Sequence, residues 1–281
     1  MWRDLLATDI EQAKISIFGI AVDENCSIGR GAALAPKVMR ECSEFLPPHT
    51  AKGEKISPIL WDMGDITEYD YEQVFAIMQS VQDKKCTIVL GGDHSVGILS
   101  QKAFRALHPG KVGLIHIDAH ADICDVYMNS KISHACVNRR ALDNGYLLED
   151  LALIGIRSFE SQEVDFLQSN AVLVRRADEI EERGVGAIVQ ELCDKYQGYD
   201  AIYLSFDIDS VDPAYAPGTG TPEPFGLTNL TVLRILKELI ERLPIKAMDV
   251  VEISPPLDIN NITTWLALKY LLEIIKIIEK K

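Results

Sequence analysis

Six short apolar runs constrain the fold of this chain more than any other feature: Ile15–Val22, Thr87–Leu90, Val112–Ile117, Leu151–Ile156, Ala201–Phe206 and Ala247–Ile253. Each is rich in Ile, Val and Leu with little polar alternation, the pattern of strands buried on both faces. Ala171–Val174 is a weaker strand candidate. Amphipathic segments lie between them, and their spacing predicts helices over Ala35–Glu44, Tyr71–Asp83, Val96–Leu107, Gln162–Leu167, Ile180–Tyr196, Asn229–Arg242 and Ile262–Glu279. Strand and helix in alternation predict an α/β fold, with a mostly parallel sheet covered by helices on both sides.

No Pro/Gly/Ser-rich linker divides the chain and no internal repeat is present, so residues 1–281 are expected to form a single domain. The Pro- and Gly-dense stretch Asp212–Gly226 is one long loop inside the α/β pattern, and loops of that length usually carry function. Apolar residues make up 47 % of the sequence and charged residues 25 %, which is enough apolar content for a core and argues against disorder. The net charge of −14 disfavours nucleic acid and anionic membranes and favours small cations. No apolar run approaches the roughly 20 residues of a membrane span. Met1–Lys14 has no signal-peptide pattern. None of the six cysteines forms a C-x-x-C pair, so a zinc ribbon is not expected. These features together predict a cytoplasmic protein with reduced thiols.

In open parallel sheets, ligands bind at the carboxyl ends of the strands. Thr87–Leu90 is followed by Gly91-Gly92-Asp93-His94-Ser95, and Val112–Ile117 by Asp118-Ala119-His120-Ala121-Asp122. Ala201–Phe206 is followed by Asp207-Ile208-Asp209, and Ala247–Val251 by Glu252. In an extended chain, residues two apart point the same way, so Asp118, His120 and Asp122 are expected to project together, as are Asp207 and Asp209. With His94 they gather four carboxylates and two imidazoles, a cluster that repels itself unless it holds divalent cations. Oxygen-rich ligands with imidazole and no thiolate favour manganese, with iron, cobalt, nickel or zinc as substitutes. Two ions sharing carboxylates would hold a water between them and lower its pKa. Asp93 and His116 are expected to orient the ligands. No G-x-G-x-x-G or P-loop motif supports a nucleotide-binding module.

These motifs, with Ser205-Phe206-Asp207-Ile208-Asp209-Ser210-Val211-Asp212-Pro213 and Asp249-Val250-Val251-Glu252-Ile253-Ser254-Pro255, resemble the ureohydrolases, the family of arginases and agmatinases. Weaker similarity includes Asp62-Met63-Gly64-Asp65 and Gly155-Ile156-Arg157-Ser158. The resemblance implies a three-layer α-β-α sandwich, a binuclear manganese centre, and homotrimers or hexamers. It implies His94, Asp118, Asp122 and Asp207 on one ion, and Asp118, His120, Asp207 and Asp209 on the other, with Asp118 and Asp207 bridging. A metal-bridging hydroxide would attack the guanidino carbon. Asp122 would orient it, Glu252 would pair with the guanidinium N–H groups, and His134 would protonate the leaving amine.

Departures from the arginase pattern indicate the substrate. Where arginases read the amino acid carboxylate, this chain has Ile123-Cys124-Asp125-Val126-Tyr127-Met128-Asn129, and Ser158 stands in place of an aspartate, as in agmatinases. The expected reaction is hydrolysis of agmatine, a small cationic guanidino compound, to putrescine and urea. Alternatives are another amidinohydrolase (an arginase or guanidinobutyrase) or a non-catalytic metal-binding protein. Asp125 and Glu160 are candidate acceptors for the distal ammonium, and Phe225 could reshape the pocket mouth. Cys124 and Cys136, flanking the catalytic segment, are expected to be buried small residues.

Overall fold

The computed structural model describes all residues, 1–281. Eight strands form one sheet: β1 (Ile15–Ile20), β2 (Leu60–Ile66), β3 (Cys86–Leu90), β4 (Val112–Ile117), β5 (Leu151–Ile156), β6 (Leu173–Arg176), β7 (Ala201–Asp207) and β8 (Ile245–Val251). Their order is β2-β1-β3-β8-β7-β4-β5-β6, and every pairing is parallel. Nine α-helices accompany them: α1 (Ala35–Ser43), α2 (Tyr71–Ser80), α3 (Val96–Leu107), α4 (Val137–Asp143), α5 (Ser161–Ser169), α6 (Ala177–Arg183), α7 (Val185–Lys195), α8 (Asn229–Arg242) and α9 (Ile262–Lys280). No helix is long and apolar enough to cross a membrane.

Successive residues of each strand point to opposite faces, and both faces are buried. Ile115, Ile117, Ile154, Leu204 and Met248 join one apolar cluster, which also takes in α1 and α6 to α9. Leu114, Leu153, Tyr203, Ala247 and Val251 join the other, with residues of α2 to α5. This makes three layers and explains why these strands are near-continuously apolar.

Differences from the sequence expectation fall at the two edge strands and in the helices. β2 is an edge strand, half polar (Leu-Trp-Asp-Met-Gly-Asp-Ile) with a register shift against β1, so its sequence carries no apolar run. β6, at the other edge, lies two residues further along than Ala171–Val174. The expected helix Ile180–Tyr196 is two helices, broken at Gly184, whose φ of 81° suits glycine and ends α6. α4 has no counterpart in the sequence expectation, because its seven residues are too few for a periodic signal.

Candidate active site

β3, β8, β7 and β4 are consecutive in the sheet. Their carboxyl ends carry His94, then Glu252, then Asp207 and Asp209, then Asp118, His120 and Asp122. The β3-to-β4 connection skips over β8 and β7, and the crevice this opens is where an α/β sheet binds its ligand.

The side chains form two groups. His94 Nδ1 lies 3.1 Å from Asp118 Oδ2, 3.1 Å from Asp122 Oδ2 and 3.0 Å from Asp207 Oδ2. His120 Nδ1 lies 3.1 Å from Asp209 Oδ2 and 3.4 Å from Asp118 Oδ1. Asp118 therefore turns one oxygen to each group. Asp207 gives Oδ2 to the first, while its Oδ1 accepts the Asp209 N–H at 2.8 Å. All six residues converge, but not through an extended backbone as the spacing suggested. Asp118 Oδ1 accepts the His120 N–H at 2.6 Å, and Asp122 has a left-handed φ of 47°. Ile208–Ser210 is a 3-10 turn. In both places an aspartate caps the turn that begins where its strand stops. Glu252, too, has a left-handed φ, 62°. Such strain in non-glycine residues gathers at functional sites.

The donor set suits a cation. Ser205 Oγ donates to Asp249 Oδ1 at 2.9 Å, so its lone pair is free to take Nε2–H of His94, 2.8 Å away. Asp249 also accepts from Tyr203 Oη at 2.9 Å and from the Phe206 N–H at 3.0 Å. In the neutral ring this holds the proton of His94 on Nε2 and turns the Nδ1 lone pair toward three carboxylate oxygens. Lone pairs and carboxylates repel unless a positive ion lies between them. His94 Nδ1 and Asp118 Oδ2 are buried and have no hydrogen-bond partner. Burial and the neighbouring Asp209 and Asp118 carboxylates push Asp207 above the usual carboxylate range, and burial and Asp118 raise Asp209. Divalent ions would relieve this repulsion.

Ser205 and Asp249 carry no role in the sequence reading. The signal was there: a charged residue inside an apolar strand, in register with a serine on the neighbouring strand. His116 acts beside them, stacked on His94 with ring centroids 4.8 Å apart and Nε2 2.9 Å from Asp118 Oδ2, outside hydrogen-bonding geometry. Asp93 is buried and accepts the N–H groups of Ser95 and Asn25. Burial and Glu252 push it up to about 6.

A cavity of about 350 Å³ opens above His120, Asp122, Asp207 and Asp209. Glu252 Oε1 accepts the His94 N–H at 2.8 Å and lies 3.2 Å from His134 Nδ1. Burial lowers the affinity of His134 for a proton, but the hydrogen bond to Glu252 and the charges of Glu252, Asp122 and Asp93 outweigh it and raise the pKa to about 9. Glu160, Glu163 and Glu223 line the remaining wall with Tyr127, Met128 and Phe159. Asp125 is not part of the lining; it binds Arg140 Nη2 at 2.7 Å. Phe225 is not part of the lining either. It takes a left-handed φ of 63° and is 91 % exposed. Cys124 and Cys136 are buried, as expected.

The sequence profile of the Arginase family matches residues 13–276. A guanidinobutyrase of Pseudomonas aeruginosa is 30 % identical over 95 % of this chain and 87 % of its own. A mitochondrial guanidino acid hydrolase of Homo sapiens is 33 % identical over 98 % of this chain and 81 % of its own. Among solved structures, an agmatine ureohydrolase of Thermoplasma volcanium superposes with a TM-score of 0.85 at 34 % identity, covering 100 % of this chain and 95 % of that one.

Proposed function

Because the chain belongs to the Arginase family, we propose that it hydrolyses agmatine to putrescine and urea, with two manganese ions as cofactor. One observation carries the choice of substrate. No lysine or arginine lines the cavity, and beyond the metal-ligand candidates its wall offers Glu160, Glu163 and, 3.6 Å from His120 Nε2, Glu223. The guanidinium of Arg157, next to the lining residue Ser158, is occupied by the main-chain carbonyls of Asp209, Ser210, Glu223 and Pro224. A substrate carboxylate would meet Glu160, Glu223 and Glu163, the last pushed up to about 7 by burial, whereas an ammonium would find acceptors. Glu223 Oε1 accepts from Ser158 Oγ at 3.0 Å, and Glu163 accepts the N–H groups of Ile123 and Glu160, both at 2.9 Å, so two of the three carboxylates are held in place.

In this reading His94, Asp118, Asp122 and Asp207 would hold one ion, and Asp118, His120, Asp207 and Asp209 would hold the other. Bound there, the ions would lower the pKa of water toward neutrality and supply the nucleophile. Asp122 orients the attacking water. Glu252, with Oε1 anchored by the His94 N–H, presents Oε2 to the guanidinium. His134, charged at neutral pH, supplies the proton that the leaving amine needs.

A second reading, a guanidino acid hydrolase, is favoured by the names of the two relatives above. Urea release from agmatine, 4-guanidinobutyrate and arginine, measured side by side with manganese, separates the readings. Agmatine is expected to be turned over fastest. Faster turnover of guanidinobutyrate would replace the first reading with the second.

A further inference from the structure

Ser27 lies on the loop after β1, half-buried, and lines the cavity. Its N–H donates to Nε2 of His134 at 3.2 Å, and its Oγ lies 3.0 Å from the same nitrogen. The loop is tied in place beside that contact. The Asn25 N–H donates to Asp93 Oδ2 at 2.9 Å, and Asn25 Nδ2 donates to Ser95 Oγ at 3.0 Å. The His134 N–H donates to the Asn25 carbonyl at 3.3 Å. That last bond, main chain to main chain, sets the height of the His134 ring against the loop.

We propose that Ser27 carries the proton from His134 to the leaving nitrogen. The inference rests on the reading that a guanidino C–N bond is broken in this cavity. A backbone N–H can only donate, so the Nε2 that receives it must offer a lone pair when the ring is neutral. The single proton of the neutral ring is then on Nδ1, facing Glu252 Oε1. The proton that makes the ring cationic is on Nε2, where the Ser27 hydroxyl oxygen accepts it. Ser27 thus has a partner for Nε2 in both charge states, the hydroxyl for the imidazolium and the N–H for the imidazole. The charged and titratable groups facing the ring are Glu252, Asp122 and Asp93, with the edge of Tyr127 6.2 Å away between centroids.

The step balances. As the C–N bond breaks, its electron pair goes to the leaving nitrogen, which takes the proton of Ser27 Oγ. Oγ takes the Nε2 proton in the same motion and is a hydroxyl again. His134 is left neutral, with its proton on Nδ1 and its Nε2 lone pair on the Ser27 N–H. A solvent proton restores the imidazolium.

The test compares Ser27→Ala, Ser27→Thr, His134→Ala and the double variant Ser27→Ala/His134→Ala in the manganese-loaded enzyme, on whichever guanidino compound the unmodified protein turns over best. Ser27→Ala is expected to lower kcat by roughly tenfold or more, with KM and bound manganese unchanged. Ser27→Thr, which keeps a hydroxyl, is expected to recover most of the rate. The double variant is expected to be no slower than His134→Ala, because the two groups act in one path. Ser27→Ala within about twofold of the unmodified kcat, or losses that multiply in the double variant, would overturn the relay. If the unmodified protein releases no urea from any guanidino compound, the reading of the reaction fails, and the relay with it.

Discussion

Two buried charge clusters in this molecule are built on opposite plans. Arg40, in α1, is buried against β2. Its Nε and Nη2 grip Asp62 at 2.7 and 2.9 Å, Nη2 also reaches the Gly64 carbonyl at 3.1 Å, and Nη1 reaches the Pro36 carbonyl at 3.2 Å and the Asp65 carboxylate. All five N–H donors of the guanidinium are accounted for. Asp62 is further held by Trp2 Nε1. The cluster at the ends of β3, β4 and β7 has as many short contacts but does not close. Its carboxylates outnumber its imidazoles, and His94 Nδ1 and Asp118 Oδ2 are left without hydrogen bonds. A structural cluster satisfies itself, while this one leaves a ring nitrogen and a carboxylate oxygen that a cation would take up. That contrast can be tested from both sides.

The largest effect is expected where the open cluster is emptied. Asp207→Ala should abolish urea release and reduce bound metal, since Asp207 sits against His94 at 3.0 Å and caps the turn that presents Asp209. It should leave the fold intact, because it removes one of several repelling carboxylates. Chelation should lower the melting temperature of the unmodified protein, because the ions bind only the folded state. It should do so much less in the variant. Metal content by atomic spectroscopy and thermal melts check both, and a fully metal-loaded Asp207→Ala protein would contradict the assignment.

The closed cluster should respond in the opposite way. Arg40→Met strips the partner from Asp62 and Asp65 and is expected to cost about 3–5 kcal/mol of stability. Urea release per folded molecule should hardly change, since Arg40 is not among the residues that line the cavity. Denaturant titration with kinetics on the folded fraction tests this. A loss of activity without a loss of stability would mean that the two clusters are coupled.

The same contrast explains what could be read from the sequence. Metal-ligand candidates were legible because each follows an apolar run buried on both faces, where a charged residue has no structural reason to stand. The interior strands were legible for the same reason. The Arg40 cluster was not, because Asp62 and Asp65 lie in a half-polar edge strand that carries no apolar periodicity. Ser27 and Glu163 were missed because they come from loops and a short helix whose approach to the cavity is set by tertiary contacts. Asp122 and Glu252 were found by residue type, yet their left-handed backbones were not, since local propensity disfavours that conformation.

A smaller effect concerns pH. His134 has a folded-state pKa raised from 6.5 to about 9, against the cost of burial, by Glu252 and the nearby aspartates. A raised pKa contributes stability that is fully present below the unfolded value and is lost as pH rises through the folded one. The pH-dependent part of the stability difference between the unmodified protein and His134→Ala should therefore be largest below pH 6.5 and gone above about 9. Its full size is about 3 kcal/mol, from about 1.36 kcal/mol per unit. The same substitution should lower turnover while leaving metal content intact. A stability difference that is flat in pH would detach His134 from Glu252.

The smallest expected effect tests whether the open cluster depends on its supports. Ser205→Ala removes the acceptor that holds the proton of His94 on Nε2 and cuts the path to Asp249. The imidazole can then tautomerise and turn Nδ1–H toward the carboxylates, which a metal ion cannot use. Groups that orient a ligand in this way typically contribute about 10–100-fold in metal affinity. The variant should need correspondingly more manganese for half-maximal activity and should reach nearly the unmodified rate at saturation, because no ligand has been lost. A lower rate at saturating manganese would place Ser205 in the chemistry itself. An unchanged manganese requirement would mean that the packing around His94, with His116 stacked against it, fixes the ring without the serine.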